Sequence, residues 1–574
     1  MTIEAARPWL ASYAPNVPTE FTPPEGSLID LVENSASLYP AKVALEFFGG
    51  TVTYAELSER INRAAEGLRL LGVRHGDPVA LILPNCPEHV VAFYAVLRLG
   101  AVVVEHNPLY TPRELRHQFE DHGAQVAIAW DKVVPTLQEM PADVGAPTII
   151  SVDITRGMSL ATRAALRLPV RKARESRLAL TMEVSGARSW QEIVASSLLD
   201  PDHTYPVRGD LAVLQYTSGT VGRPKGAELT HGNLTANAAQ SRSWAPTIEQ
   251  GNCVVYAVLP MFHAYGLTLS LTFAMSMGAT LVLFPKFDAD LVLKAIRKRP
   301  PTFFPAVPPI CARLAARAEE KGVSLAGIEI AISGAMNLPT AIVEPWEAQT
   351  GGFLVEGYGL SEASPVLMVN PVSDGRKAGT VGVPVPGTDA RIVDPDNPTV
   401  DVAPGDEGEL IVRGPQVFRG YHQRPEETAA VFVDGDWFRT GDIAIMDDDG
   451  FFSIVDRIKE LIITGGFNVS PSEVEDAIRK APGVIDAAVV GIPSPNGGED
   501  VVAAVEFEPG ETFDEQALRS FVRDLLTPYK VPKRIVQLDE LPKSMMGKTL
   551  RRVVREQFPA AVALADARGS STLD

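Results

Sequence analysis

Apolar, strand-like runs alternate with helical patterns through the first 400 residues, which rules out an all-helical or an all-β chain. "PVALILP" is followed by "EHVVAFYAVLRLG", and "AQVAIAW", "CVVYAVLP" and "IEIAISG" continue the theme. Apolar runs without polar alternation belong to strands covered on both faces, so the pattern predicts layered sheets flanked by helices. At 574 residues the chain exceeds one core, since single cores stop growing near roughly 250–300 residues. From residue 376 to 455 the texture changes to short strands and turns ("GDEGELIVRG", "MDDDGFFSIVDR"), which reads as a small β-rich subdomain. Beyond "VDRIKE", Ser470, Pro471 and Glu473 supply an N-cap, a first-turn proline and a capping-box acid. Thr512 and Glu515 repeat the box before "EQALRSFVRDLL", where Ala517, Leu518, Phe521, Val522 and Leu525 share a face. With strands "AAVVGI", "VVAAVEF" and "RIVQL", this makes a compact α+β unit. The expected organisation is a large α/β N-terminal domain over 1–456, including the β-rich subdomain, and a small α+β C-terminal domain over 457–574.

With 45% hydrophobic and 21% charged residues, the chain is globular rather than disordered. A formal net charge of -19 argues against nucleic acid as a partner, because phosphate-backbone binding needs a basic face. Anionic substrates must then be met by locally placed cations. Cys86, Cys253 and Cys311 lie far apart without CxxC spacing, which points to reduced thiols in a cytoplasmic protein rather than to disulfides or zinc. The N-terminal stretch lacks the apolar core of a signal peptide. Residues 264–285 carry no charge and are long enough to span a bilayer. Thr268, Ser270, Thr272, Ser276 and Thr280, with a division at Gly278, instead predict a buried helix followed by a strand, so no transmembrane segment is expected.

One segment departs from the acidic background. Residues 156–177 hold Arg156, Arg163, Arg167, Arg171, Lys172, Arg174 and Arg177 against Glu175 alone. Arg163, Arg167, Arg171 and Arg174 have helical spacing, with Leu160, Ala164 and Leu168 among them, and Pro169 must end or kink a helix there. Two readings are open: a solvated surface excursion, or a patch resting on anionic lipid at the inner membrane surface.

"YTSGTVGRPKG", residues 216–226, has the chemistry of a phosphate strap: glycines, four hydroxyls and a lysine. It is not the G-x-x-x-x-G-K-[ST] loop, because Pro224 precedes Lys225, Gly226 follows it, and no Ser or Thr adjoins the lysine to hold magnesium. Four further stretches carry chemistry. "EGYGLSEASP" offers Tyr358 to cover a purine, with Ser361 and Glu362, whose carboxylate suits Mg²⁺. "WFRTGD" ends in Asp442, able to accept both hydroxyls of a ribose, "VDRIKE" supplies Arg457 and Lys459, and "LPKSMMGKTLRR" offers Lys548 in a glycine-flanked loop. Singly, each has an ordinary structural explanation as a turn residue, a cap or a solvated charge.

Together and in this order, the stretches resemble the adenylate-forming superfamily of acyl-CoA synthetases, aryl-CoA ligases, peptide-synthetase adenylation modules and beetle luciferases. The resemblance runs from "FTPPEGSLIDLVENSASLYP" to "GKTLRR" and is nearest to bacterial long-chain fatty acid CoA ligases; "LPMFHAYGL" is similar to coumarate CoA ligases as well. It implies a fatty acid–CoA ligase reaction with ATP, Mg²⁺ and coenzyme A: the acid displaces pyrophosphate from ATP to give acyl-AMP, and CoA then displaces AMP. It further implies that Thr217, Ser218, Gly219, Thr220, Gly222 and Lys225 hold the leaving phosphates. Gly334, Ala335, Gly357 and Tyr358 would frame adenine, Ser361 would touch the α-phosphate, and Glu362 would coordinate Mg²⁺. Asp442 would grip the ribose beside Arg457, and Lys548 would clamp the substrate carboxylate and α-phosphate. Lys459 matches the hinge about which the C-terminal domain turns between half-reactions, bringing up Lys548 in one pose and Gly465 and Gly466 in the other. Lys286 would contact CoA and His263 would lie near the acyl group, unless it is an ordinary core histidine.

Val221 replaces a commoner threonine, Ser361 stands for the usual threonine, and Ile463 and Asn468 depart from the Lys and Gln of luciferases and coumarate ligases. A phosphotransferase would release ADP rather than AMP. An amino-acid-activating module would carry an aspartate near "FHAYGL" for the α-amino group, which this chain lacks. Medium-chain and aryl acids remain alternatives to long-chain ones.

Overall fold

The computed structural model describes residues 7–217, 224–464, 467–494, 499–544 and 547–570. These fall into two compact units, one built from 7–217, 224–389 and 413–432, the other from 390–412 and 433 onward.

The first unit holds two large sheets. In the nine-stranded sheet the order is Val383–Pro384, Val366–Val369, Phe353–Gly359, Ile330–Ser333, Phe303–Ala306, Val254–Ala257, Thr280–Leu283, Val43–Phe47 and Gly50–Thr53. Its centre is parallel and its margins are antiparallel. In the seven-stranded sheet the order is Arg188–Ser189, Thr148–Val152, Val126–Trp130, Pro78–Ile82, Val102–Glu105, Leu211–Thr217 and Lys225–Thr230. It is parallel until the last pair, which forms an antiparallel hairpin. The expected α/β layering is therefore present.

Helix Pro87–Arg98 explains its own apolar run: all twelve residues are buried. It packs against Val43–Phe47 of one sheet and against Pro78–Ile82 and Val102–Glu105 of the other, as a helix buried on every side must. Just before it, Asn85 joins the layers. Its amide donates to the Ala257 and Leu259 carbonyls at 2.9 and 2.7 Å, and its oxygen accepts from the Met261 N–H at 2.8 Å.

The uncharged stretch 264–285 divides as the sequence predicts. A helical passage from Ala264 to Ser276, π-helical over Leu267–Thr272, precedes strand Thr280–Leu283. The buried hydroxyls of Thr272, Ser276 and Thr280 donate to backbone carbonyls. Among the described residues no helix is long and apolar enough to cross a membrane.

The second unit contains a five-stranded sheet built from Asp389–Val393, Gly408–Arg413, Trp437–Met446, Phe432–Val433 and Phe452–Arg457. A three-stranded sheet follows (Val484–Pro493, Glu499–Phe507, Arg534–Gln537), with helices Pro471–Arg479, Glu515–Arg523 and Arg551–Ser570. Ser470 caps the first helix, accepting from the Glu473 N–H at 3.2 Å. The capping box expected at Thr512 and Glu515 is not formed. Asp514 is the cap, accepting from the N–H groups of Gln516 and Ala517 at 2.8 and 3.0 Å, so Glu515 becomes the first helical residue. With the cap at Asp514 the helix begins two residues later than a Thr512 cap would start it. The helix ends at Arg523, which leaves Leu525 exposed beyond it; Ala517 is exposed too, while Leu518, Phe521 and Val522 meet the core.

Candidate active site

The stretch expected to hold phosphate lies in sequence between two antiparallel strands. Thr217 ends one strand and lies opposite Lys225, which begins the next. Ser218, Gly219, Thr220, Val221 and Gly222 lie outside the described residues.

At the base of the hairpin, Lys225 pairs with Glu427 and sits over the Tyr421 ring, 4.8 Å from its centroid. The Tyr421 hydroxyl donates to Glu362 Oε1 at 2.9 Å, and the Glu362 carbonyl accepts from the Phe418 N–H at 2.8 Å. Burial raises the Tyr421 phenol, and the Glu362 charge raises it further, so it stays protonated as a donor. Beside it, the Tyr216 hydroxyl donates to Asp121 at 2.8 Å, and Arg424 holds the other oxygen of that carboxylate at 2.7 Å. The structure thus brings Thr217, Lys225 and Glu362 into one neighbourhood through residues that the sequence reading did not single out: Tyr421, Glu427, Arg424 and Asp121. The local sign of Tyr421, Arg424 and Glu427 is "GYHQRPEET", an aromatic with charges of both signs after a glycine. Its partner Glu362 is 59 positions away and is found only by folding.

A single carboxylate beside a phosphate strap fits magnesium, which takes one or two carboxylates together with phosphate oxygens rather than a closed protein cage. Among the described residues no group of three His, Cys, Asp or Glu forms such a cage.

The residues expected around adenine stand at the ends of adjacent parallel strands, where ligands of open α/β sheets bind. Gly334 follows strand Ile330–Ser333, and Gly357 and Tyr358 lie in strand Phe353–Gly359. A Cβ at Gly334 would come within 3.2 Å of the Tyr265 ring, so glycine lets this backbone lie flat on the aromatic. The Tyr265 hydroxyl holds the ring there by donating to the Ile332 and Ala306 carbonyls at 2.8 and 3.0 Å. Ala335 adopts φ 68°, a left-handed conformation that residues with a side chain rarely take and that recurs at functional sites. Glu356, buried behind it, accepts from the Leu338 N–H at 3.1 Å; burial pushes its carboxyl up to about 7. Ser361 begins a short 3₁₀ turn ahead of Glu362.

His263 caps the helical passage, its Nδ1 accepting from the Tyr265 N–H at 3.3 Å, and burial pushes the imidazole down to about 4, so it is neutral at physiological pH. Lys286 is exposed beyond strand Thr280–Leu283.

In the second unit, Asp442 and Arg457 face each other across the pair Trp437–Met446 and Phe452–Arg457, with an ion pair at 3.0 Å and the carboxylate buried. Lys459 lies in the turn Ile458–Glu460 that follows. Gly465 and Gly466 lie outside the described residues. Lys548 is exposed at the tip of a tight loop, where the Ser544 N–H donates to its carbonyl at 2.7 Å and its own N–H donates to Ser544 Oγ at 3.2 Å.

Three residues on, Arg551 is packed among carboxylates. It holds Glu475 through two nitrogens at 2.8 and 2.7 Å, Asp456 at 3.4 Å, and Glu460 beside Lys459. It also donates to Ser472 Oγ at 2.7 Å. Sequence reading treated "LRR" only as the end of the lysine loop and missed this anchor.

Two segments of the chain match known families. Residues 32–422 match the AMP-binding enzyme family, and residues 473–548 match the AMP-binding enzyme C-terminal domain. The chain belongs to the AMP-binding, adenylate-forming enzymes. It is 38% identical over 560 residues to a long-chain-fatty-acid–CoA ligase of Bacillus subtilis (strain 168), covering 97% of this chain and 99% of that protein. It is 35% identical over 525 residues to a feruloyl-CoA synthase of Amycolatopsis sp, covering 91% and 97% respectively. Among solved structures, ATP-bound MatB from Rhodopseudomonas palustris aligns with a TM-score of 0.79 at 30% identity, over 92% of this chain and 99% of that one.

Proposed function

We propose that this protein is an ATP-dependent acyl-CoA ligase acting on long-chain fatty acids. What carries the reading is the likeness to a long-chain ligase along nearly the whole chain, combined with a hairpin that sets Lys225 and Glu362 around one tyrosine. A fatty acid carboxylate repels nucleophiles and has no usable leaving group. Joining it to AMP supplies one, after which the CoA thiolate attacks the carbonyl and AMP departs.

Attack of the carboxylate on the α-phosphorus of ATP brings like charges together, and fixed cations and dipoles must offset that in the site. In this reading Thr217 and Lys225, with Ser218, Gly219, Thr220 and Gly222, hold the phosphates that leave. Gly334, Ala335, Gly357 and Tyr358 bound the adenine, and Ser361 meets the α-phosphate. Glu362 would hold magnesium, which supplies positive charge to the phosphate oxygens. Asp442 accepts from the ribose hydroxyls with Arg457 steadying it, and Lys548 clamps the carboxylate and the α-phosphate.

The functional division falls at 456/457, with Lys459 as pivot and Gly465, Gly466, Lys286 and His263 serving the CoA half-reaction. The enzyme works in the cytoplasm on fatty acid, ATP and CoA.

Incubation with ATP, CoA and acids of graded length, reading AMP release, tests the proposal. A maximum among long-chain acids supports it; release of ADP, or no product with any acid, defeats it. The feruloyl relative gives ferulate a place in the series, and a preference for it over every fatty acid would move the assignment to aryl acids.

A further inference from the structure

Between strands Thr148–Val152 and Arg188–Ser189 the chain makes an excursion through two helices, Leu160–Ala165 and Arg171–Leu180, separated at Pro169. No residue of either helix is buried. Helices shorter than roughly 12–15 residues are marginal in water on propensity alone and normally depend on an apolar face packed against a core. Here the apolar residues are turned outward: Leu160 is 79% exposed, Leu168 55%, Val170 53% and Leu178 54%.

The excursion is also tied down. Thr162 Oγ1 donates to the Phe48 carbonyl at 2.9 Å, and at the far end Trp130 Nε1 and Lys132 Nζ donate to the Leu180 and Leu178 carbonyls at 2.9 and 2.7 Å. A fixed loop that presents leucines to water is a surface awaiting an apolar partner.

Charge identifies that partner. Arg156 pairs with Asp153 at 3.6 Å and Arg171 with Glu175 at 2.7 Å. Among the described residues no carboxylate pairs with Arg163, Arg167, Lys172, Arg174 or Arg177. Arg171, Arg174 and Leu178 stand at i, i+3 and i+7, so cations and leucine share one helical face.

We infer that this excursion docks the protein on a bilayer of anionic phospholipid, with guanidinium groups on the headgroup phosphates and the leucines at the acyl boundary. Nucleic acid would satisfy the arginines but leave the leucines in water. A second copy of the chain would set two arginine faces of the same sign against each other. The inference is independent of which acid the enzyme activates.

Vesicle co-sedimentation tests it, comparing phosphatidylcholine alone with phosphatidylcholine containing phosphatidylglycerol. The full chain should sediment with the anionic vesicles and not with the neutral ones. Neutralising Arg163, Arg167, Arg174 and Arg177 to glutamine should weaken that binding roughly fivefold per residue and several-hundredfold together. Leu160→Ser with Leu178→Ser should weaken it as well, while ATP–pyrophosphate exchange with a soluble short-chain acid is unchanged in both variants. Anionic-vesicle binding that survives the four arginine changes overturns the inference. So does wild-type protein that ignores vesicles, whether it retains single-stranded RNA instead or self-associates through this face.

Discussion

In the first unit Lys225 already has company: Glu427 pairs with it, Tyr421 lies beneath it, and that tyrosine also holds Glu362. In the second, Lys548 is exposed at a loop tip, and the fixed charges stand behind it around Arg551. Under the proposed reaction both ammonium groups would meet an anion. Lys225 would exchange its internal counter-ion, Glu427, for a phosphate. Lys548 would instead meet it from an exposed tip, with the Arg551 ion network three residues along the chain. The contrast teaches that preorganisation can lie in a side chain's direct contacts or in what braces its backbone.

The strongest way to break the comparison is Arg551→Ala. Losing the cation strands Asp456, Glu460 and Glu475, and breaking a buried ion network of this kind costs about 3–5 kcal/mol; urea denaturation should show that loss of stability. An unchanged midpoint would mean that the loop is braced elsewhere. Next comes Lys548→Ala, which should slow adenylate formation roughly a hundredfold or more, the scale for removing one preorganised charge-stabilising donor. Transfer from preformed acyl-AMP to CoA should largely survive, and equal loss in both half-reactions would contradict the division of labour.

Asp442→Ala should weaken ATP binding by about tenfold or more, the range for a hydrogen bond to a charged group. Calorimetry showing wild-type ATP affinity would remove it from the ribose. Tyr421→Phe keeps the ring under Lys225 and deletes the hydroxyl on Glu362, so the magnesium requirement of pyrophosphate exchange should rise only severalfold, about 1 kcal/mol. An unchanged magnesium dependence would remove the hydroxyl from the support of Glu362.

The smallest effect concerns pH. Burial holds His106, His231 and His263 down to about 4, so between 6.5 and 4 the unfolded chain takes up protons that the native chain refuses, and stability falls as pH falls. Glu88, pushed up to about 7 by burial, acts in the opposite sense, because the native chain holds its proton between 4.5 and 7 while the unfolded chain does not. Glu88→Gln removes that compensation, so the drop in urea midpoint from pH 7 to pH 5 should be steeper than in wild type.

Much of this was legible in the sequence. Apolar runs became the expected strands, the glycine- and hydroxyl-rich stretch turned out to join two hairpin strands, and Pro169 separated two helices. These features depend on neighbours within a turn or two, where spacing and backbone propensity decide. Tyr421, Asp121 and Arg551 were not legible, because their importance comes from partners far along the chain; Arg424 reaches Asp121 across 303 positions. The displaced cap at Asp514 shows the local limit as well: Thr512 and Asp514 are both favourable cap residues two positions apart, and the fold uses the second.

Helix Pro87–Arg98 has no face on water and fills the space between both large sheets. Neither sheet can part from it without opening a void that the other must also feel. The first unit should therefore act as a single mechanical block, an anvil that yields in one melting step rather than layer by layer.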